Sequence, residues 1–282
     1  MTKILFNSIL FMVRKKVKYM KKRIISAIVA LAIFIPVVYF GGKVFSIAMG
    51  MLAVLGYKEL LDLKENSVEI PEIIKGIGLI DMLLLIFSDI AKDNAVFGLS
   101  YSMVAITLLT LLIPTLFYKD NKYTTREALY LVGIATLLGL VFNTIIFIRS
   151  FSLYTLLYLF IICVITDTFA MLTGMLIGKH KACPKISPKK TIEGCIGGSV
   201  IGTIVSVIFY SNLVGSFSIK LLIVTLVLTV IGQFGDLFFS KIKRENKIKD
   251  FSNIMPGHGG VLDRLDSFCF VIMAYIAFIS FI

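Results

Sequence analysis

Four long stretches without a charged residue constrain this chain before any motif does: Ile24–Gly42, Ala95–Tyr118, Ala128–Ile148 and Gly194–Ile219. Each approaches or exceeds the ~20 residues that cross a ~30 Å hydrocarbon layer as a helix. In lipid the backbone must be hydrogen-bonded within its own segment, so helices are the form such runs take. Composition agrees: 58% of residues are hydrophobic, 16% are charged and the mean hydropathy is +0.94, well beyond a soluble domain. Weaker runs fill the gaps at Val44–Tyr57, Gly76–Ser88, Phe151–Leu176, Leu221–Phe239 and Val261–Ile282, the third and ninth of the series being the weakest. The expected fold is an all-α polytopic integral membrane protein with about nine transmembrane helices. Three regions follow: a basic cytoplasmic arm over 1–23, amino-terminal transmembrane helices over 24–150, and a carboxy-terminal catalytic transmembrane region over 151–282.

The basic residues set an orientation on nine spans. With the amino terminus inside, 25 of the 29 Lys and Arg residues fall in inside segments, and only Lys43, Lys92, Arg149 and Lys220 fall outside. That alternation is the positive-inside pattern, and losing one span would scramble every later segment. The net charge of +12 therefore reads as topology and attraction to anionic membrane lipid. No nucleic-acid motif or interleaved aromatic pattern accompanies it, so a nucleic-acid partner is not expected. The expected location is the bacterial cytoplasmic (inner) membrane.

At the amino terminus the apolar run Ile4–Val13 precedes the cluster Arg14–Arg23, the reverse of a secretory signal, and a removed signal peptide is not expected. The run reads either as a short interfacial helix or as upstream of a true start at Met12 or Met20, which the intact mass of the native protein distinguishes. Cys163, Cys183, Cys195 and Cys269 form no CxxC pair and no zinc spacing, and read as structural or incidental thiols.

Chemistry is expected where polar residues interrupt the apolar second half. The block Ser240–Asp266 is dense in charge and lies between two apolar segments. A charge in hydrocarbon costs about 2.5–3.5 kcal/mol, so an intramembrane acid faces a partner, a cavity or an ion. Asp167 and Asp236 fall late in spans entering from outside, and Asp263 and Asp266 open the last span, so all four belong to the inside half of the membrane. Asp263 and Asp266 are three apart and share one helix face, and Ser267 lies four after Asp263. Clustered carboxylates suit a divalent cation with oxygen ligands, and Asp236 and Asp263 are the expected metal pair. For Asp250, beside Lys249, an ion pair is the better reading, and for Asp81 a structural polar contact.

Basic loops supply the complementary half. Ser187-Pro188-Lys189-Lys190-Thr191 leads into Glu193-Gly194, and Lys243 and Arg244 lead into Pro256-Gly257-His258-Gly259-Gly260. Lysine and arginine hold phosphates, and a glycine-rich turn before a helix offers backbone N–H groups to an anion. Together with acids suited to magnesium, these loops describe an inside-facing polar cavity where a polyphosphate and a lipid meet. His258 reads as a loop-positioning or phosphate contact more than as a base, because a phosphate nucleophile is already ionised.

The pattern Ser240-x-x-Lys243-Arg244, Lys249-Asp250, then Pro256-Gly257-His258-Gly259-Gly260-x-x-Asp263-Arg264-x-Asp266 resembles the signature of the phosphatidate cytidylyltransferases, or CDP-diacylglycerol synthases. Thr166-Asp167-Thr168 with Gly174 and Gly178-Lys179, and Ser187-Pro188-Lys189-Lys190-Thr191-x-Glu193-Gly194, agree as well. These motifs cover about a fifth of the chain, all in its second half. Departures are Phe239, where family members often carry an acid, and Phe169 and Met171, where a small residue and a tyrosine are usual. The resemblance implies transfer of a cytidylyl group from CTP to phosphatidate, giving CDP-diacylglycerol and pyrophosphate, and a homodimer. It implies catalytic roles for Asp236, Asp263, Lys243 and Arg244, with Mg2+ on Asp236 and Asp263 and a second cation beside it. It further implies substrate contacts from Asp167, Ser187, Lys189, Lys190, Thr191, Ser240, His258, Gly259, Gly260, Arg264 and Asp266. On this reading Asp263→Asn abolishes turnover and leaves folding largely intact. Two alternatives stay open: cytidylyl transfer to another lipid phosphate or a CTP-dependent lipid kinase, and, from a different class, a secondary transporter. Against the transporter, no inverted repeat is evident and the acids gather at one surface, not the midplane.

Overall fold

The computed structural model describes residues 32–65, 70–88, 101–118, 123–254 and 259–281. The amino-terminal arm, the segments 89–94 and 119–122, and His258 lie outside the described residues. Residues 32–40 are helical (α1), followed by α2 (Gly42–Glu65), α3 (Glu72–Ile86), α4 (Tyr101–Leu112) with a 3-10 turn at Ile113–Leu116, α5 (Thr125–Phe151), α6 (Leu153–Ile177), α7 (Ile192–Leu213), α8 (Ile219–Glu245) and α9 (Leu262–Phe278).

Six of these segments among the described residues are long and apolar enough to cross a membrane: Gly42–Leu63, Thr125–Phe151, Leu153–Ile177, Ile192–Leu213, Ile219–Glu245 and Leu262–Phe281. The chain is thus an all-α polytopic membrane protein in its main architecture. The expected count of nine crossings rests on α1, α3 and α4, whose described lengths are shorter; α3 has 15 residues and α4 has 12 before Pro114 draws the chain into a 3-10 turn. In the other direction, α2 runs past the expected Tyr57 to Glu65 because Glu59 is buried and not part of a polar loop.

Helix starts follow capping chemistry. Thr124 and Glu127 form a capping box on α5, and the hydroxyls of Ser152, Thr191 and Ser218 accept backbone N–H bonds at the starts of α6, α7 and α8. α9 has Val261 at this position and no cap from its own segment. Between α1 and α2 the chain turns at Gly41, whose φ of +64° suits glycine. Arg149, at the end of α5, donates there to the carbonyls of Val38 at 2.6 Å and Tyr39 at 2.7 Å, closing the carboxyl end of α1.

Several buried polar side chains in the amino-terminal half find donors or acceptors within the fold. The Thr110 hydroxyl donates to Asp81 at 2.6 Å, which makes Asp81 the structural contact expected of it. The Asn143 amide donates to the carbonyls of Leu85 and Ile86 at 3.2 and 2.9 Å, stitching α5 to the end of α3. All four cysteines are free thiols.

The closest helix contact joins α6 to α7 along Gly194, Gly198 and Gly202. A Cβ at Gly198 would stand 2.6 Å from the Thr166 carbonyl oxygen and 2.8 Å from the Ala170 backbone nitrogen. Both neighbours are backbone, so neither swings aside. Small residues at i, i+4 spacing let two membrane helices touch at their backbones. Gly198→Val is expected to lower stability by about 1–3 kcal/mol or more through overpacking, read as a lower midpoint of thermal unfolding in detergent.

One element departs from the all-α expectation. Lys181–Cys183 (β1) and Ser187–Thr191 (β2) pair as an antiparallel hairpin, with Lys181 opposite Thr191 and Cys183 opposite Ser187. It joins α6 to α7 and carries the basic motif that the sequence shows only as a loop.

Candidate active site

Carboxylates from three helices converge beneath this hairpin. Asp236 of α8 lies within electrostatic reach of both Asp167 of α6 and Asp266 of α9, and these two also feel each other. The Ser267 hydroxyl donates to Asp167 at 3.3 Å, and the Ser240 hydroxyl to Asp236 at 3.4 Å. The helical spacing on α8 and α9 therefore places Ser240 and Ser267 among the acids, as expected for Ser267.

Lys190 reaches into this group and forms an ion pair with Asp236 at 2.6 Å. Strand geometry explains why its neighbour does not. Successive side chains of a strand point to opposite faces, so Lys190 turns inward and is half-buried while Lys189 is exposed. The sequence treats the two lysines as one phosphate-binding pair; the hairpin separates them. Thr191 is spent structurally, its hydroxyl accepting from the Gly194 N–H at 3.2 Å, and Ser187 is half-buried on β2.

Asp263, one turn before Asp266 on α9, is held by partners of its own. Its Oδ1 accepts from Lys243 Nζ at 2.7 Å, in a pair whose side chains are only 10% and 4% exposed. Its Oδ2 accepts from the backbone N–H groups of Phe251 at 2.8 Å and Gly260 at 2.9 Å. The Lys243 ammonium also lies 5.2 Å from the centre of the Phe251 ring. Phe239, the position where relatives of the signature often carry an acid, is fully buried and packs edge-on against Phe251 and Phe270. Met171 is 58% exposed on α6.

Arg244 bonds to main-chain carbonyls, at 3.4 Å to Ile186 in the hairpin turn and at 3.2 Å to Ile248. It ties the hairpin to the end of α8. Arg264 is exposed at the start of α9. Gly259 has φ +86°, and a Cβ there would meet the Asp263 carboxylate at 2.7 Å, so this position requires glycine.

One expectation is corrected outright. The glycine-rich turn into α9 does not present free N–H groups at 260–262. The Gly260 N–H donates to Asp263, and those of Val261 and Leu262 donate to Glu59 at 2.8 and 2.9 Å. The protein's own carboxylates occupy the place of the anion, because a helix amino terminus in a dry setting needs its N–H groups satisfied at once. Glu59 is the site residue that sequence reasoning missed. Its only signal is an acid just past an apolar run, in a segment that also holds Lys58 and Asp62 and in a half that carries no motif.

Among the described residues, no set of three or more His, Cys, Asp or Glu side chains is gathered closely enough to enclose an ion alone. Oxygen donors are nevertheless present in a form that suits magnesium, which takes one or two carboxylates and completes its shell with water and substrate phosphate. Asp236 is the accessible candidate of the expected pair. On Asp263, three of roughly four acceptor positions are filled.

An apolar cavity of about 380 Å³ opens between α1, α2, α5, α6 and α9, with Leu265 and Phe268 of α9 in its wall.

Residues 21–282 match the Cytidylyltransferase family. The chain is 36% identical over 259 residues to a phosphatidate cytidylyltransferase of Staphylococcus aureus (strain COL), covering 90% of this chain and 96% of the relative. It is 37% identical over 262 residues to a phosphatidate cytidylyltransferase of Bacillus subtilis (strain 168), covering 89% and 94%. A relative of the same name from Staphylococcus haemolyticus (strain JCSC1435) is 36% identical over 259 residues, with 90% and 96% covered.

Proposed function

The chain belongs to the cytidylyltransferase family, and from that membership we infer that it transfers a cytidylyl group from CTP to phosphatidate, giving CDP-diacylglycerol and pyrophosphate. The observation that carries the site assignment is the Lys190–Asp236 ion pair within electrostatic reach of Asp167 and Asp266, four charged side chains from three membrane helices and the hairpin. A phosphate oxygen of the lipid attacks the α-phosphorus of CTP in line. The new P–O bond forms as the bond to the β-phosphate oxygen breaks, and pyrophosphate leaves with that electron pair. No proton need be removed from an ionised phosphate, so positioning and charge neutralisation carry the rate.

In this reading Lys190 holds phosphate from the inner face of the hairpin, Lys189 adds positive charge to a phosphate approaching from its exposed face, and Ser187 and Thr191 shape the hairpin's base. Lys243 and Arg244 contribute positive charge from the end of α8. Ser240, Asp167, Asp266, Arg264 and the 258–260 segment with His258, Gly259 and Gly260 complete the polar cavity. Asp236 and Asp263 would hold magnesium, a second cation being possible, with Asp236 as the more accessible ligand. Magnesium, when bound, supplies charge neutralisation at the phosphate oxygens. Support comes from the mutual repulsion of Asp167, Asp236 and Asp266, which a bound cation would relieve alongside Lys190 and Lys243. The apolar cavity beside Leu265 and Phe268 suits acyl chains of the lipid.

The bacterial inner membrane, nine crossings and a cytoplasm-facing site remain part of the proposal, supported by the alternation of Lys and Arg. The homodimer is supported by the family resemblance. Purified protein in detergent is expected to release pyrophosphate from CTP only when both phosphatidate and magnesium are present, with CDP-diacylglycerol as co-product. Release of CDP in place of pyrophosphate would instead identify a lipid kinase.

A further inference from the structure

We infer that Glu59 is a positioning residue of the transferase site, holding α9 and the base of the signature loop from the amino-terminal half of the chain. It rests on the proposed reading of the Asp263 and Asp266 region as that site. Glu59 is 1% exposed on α2. Its Oε1 accepts from the Ser252 hydroxyl at 2.7 Å and the Val261 N–H at 2.8 Å, and its Oε2 from the Leu262 N–H at 2.9 Å. These contacts span about 200 positions of sequence.

Three consequences of this geometry make the residue more than a core acid. First, the N-cap residue of α9, Val261, offers no side-chain acceptor, so Glu59 supplies the acceptors that the starts of α5 to α8 obtain from a local hydroxyl. Second, Ser252 and Val261 are the two feet of the signature loop, and one carboxylate oxygen holds both. Asp263 repeats the device one step further in, joining Phe251 to Gly260. The loop is therefore stapled twice at its base, and Gly260 is glycine because a Cβ there would run into the Glu59 carboxylate. Third, Asp263 lies in the first turn of α9 and Asp266 in the second, so a displaced helix start moves both.

The test uses the full-length protein in detergent, comparing wild type with Glu59→Gln. The amide of Gln can accept at only one of its two head-group positions, so at least one backbone N–H loses its partner. Amide hydrogen exchange in peptides covering 259–266 is expected to quicken about tenfold or more, while peptides of α6 and α7 stay as in wild type. The kcat for pyrophosphate release is expected to fall about 10- to 100-fold with KM for CTP unchanged, the scale of a misplacement near 1 Å. A carboxylate with a merely structural role would lower thermal stability and leave kcat per folded molecule as it was. Wild-type exchange and wild-type kcat in folded Glu59→Gln would overturn the inference. Should that variant fail to fold, Glu59→Asp, which keeps the charge and shortens the reach by one methylene, is judged by the same two readings. If the wild type itself shows no transfer to phosphatidate, the reaction assignment fails, and the exchange comparison alone still decides whether Glu59 holds α9.

Discussion

Asp263→Asn is expected to abolish pyrophosphate release and, contrary to the reading from sequence alone, to destabilise the fold. The substitution leaves Lys243 charged in a place where its side chain is 10% exposed, and it weakens the acceptor for the Phe251 and Gly260 N–H groups. Removing one partner of a buried ion pair costs about 3–5 kcal/mol, enough to unfold a marginal membrane domain. The measurement is thermal unfolding in detergent alongside activity per folded molecule. A double variant, Lys243→Met with Asp263→Asn, removes both charges while keeping an oxygen to accept from Phe251 and Gly260, and is expected to recover part of the stability and none of the turnover. Recovery of turnover in the double variant would show that neither side chain takes part in the chemistry. An unchanged unfolding midpoint in Asp263→Asn would show that the pair is not buried in the folded protein.

Asp236→Asn is expected to separate activity from stability. Asp236 is 27% exposed and its partner Lys190 is 18% exposed, so solvent screens the loss of this pair far more than the loss at Asp263. The unfolding midpoint should change little. Turnover should fall about 10²- to 10³-fold, the scale of removing one preorganised electrostatic group from a transition state, and the magnesium concentration for half-maximal rate should rise. Near-normal activity with an unaltered magnesium requirement would remove Asp236 from the metal assignment.

The contrast between these two acids shows where sequence stops being legible. Helical periodicity and hydropathy are local, so the long crossings from α5 onward fall close to the apolar runs that announce them, and the family signature marks the region where the acids meet. What a carboxylate touches is not local. Asp236 and Asp263 look alike in the sequence, each an acid at a membrane helix end, yet one faces a shared polar group and the other is sealed under a loop. The partners that make the difference are Lys190, carried by a hairpin that two prolines and several lysines disguise as a loop, and the main-chain N–H groups of Phe251 and Gly260. Glu59 was illegible for the same reason: its partners lie in the other half of the chain. The glycine-rich turn misled because its composition suits an external anion and an internal carboxylate equally well.

The hairpin has one more consequence, for insertions and deletions. Which lysine meets Asp236 is decided by the parity of the strand, since Lys189 and Lys190 occupy opposite faces of β2. Removing one residue between Cys183 and Ser187 so that β2 slips one position along β1 would exchange the faces of the strand and present the wrong lysine. Inserting two would keep the face and shift only the reach. Loop length here behaves like a reading frame, tolerant of even changes and intolerant of odd ones, although no base is being read and the segment lies wholly within the folded protein.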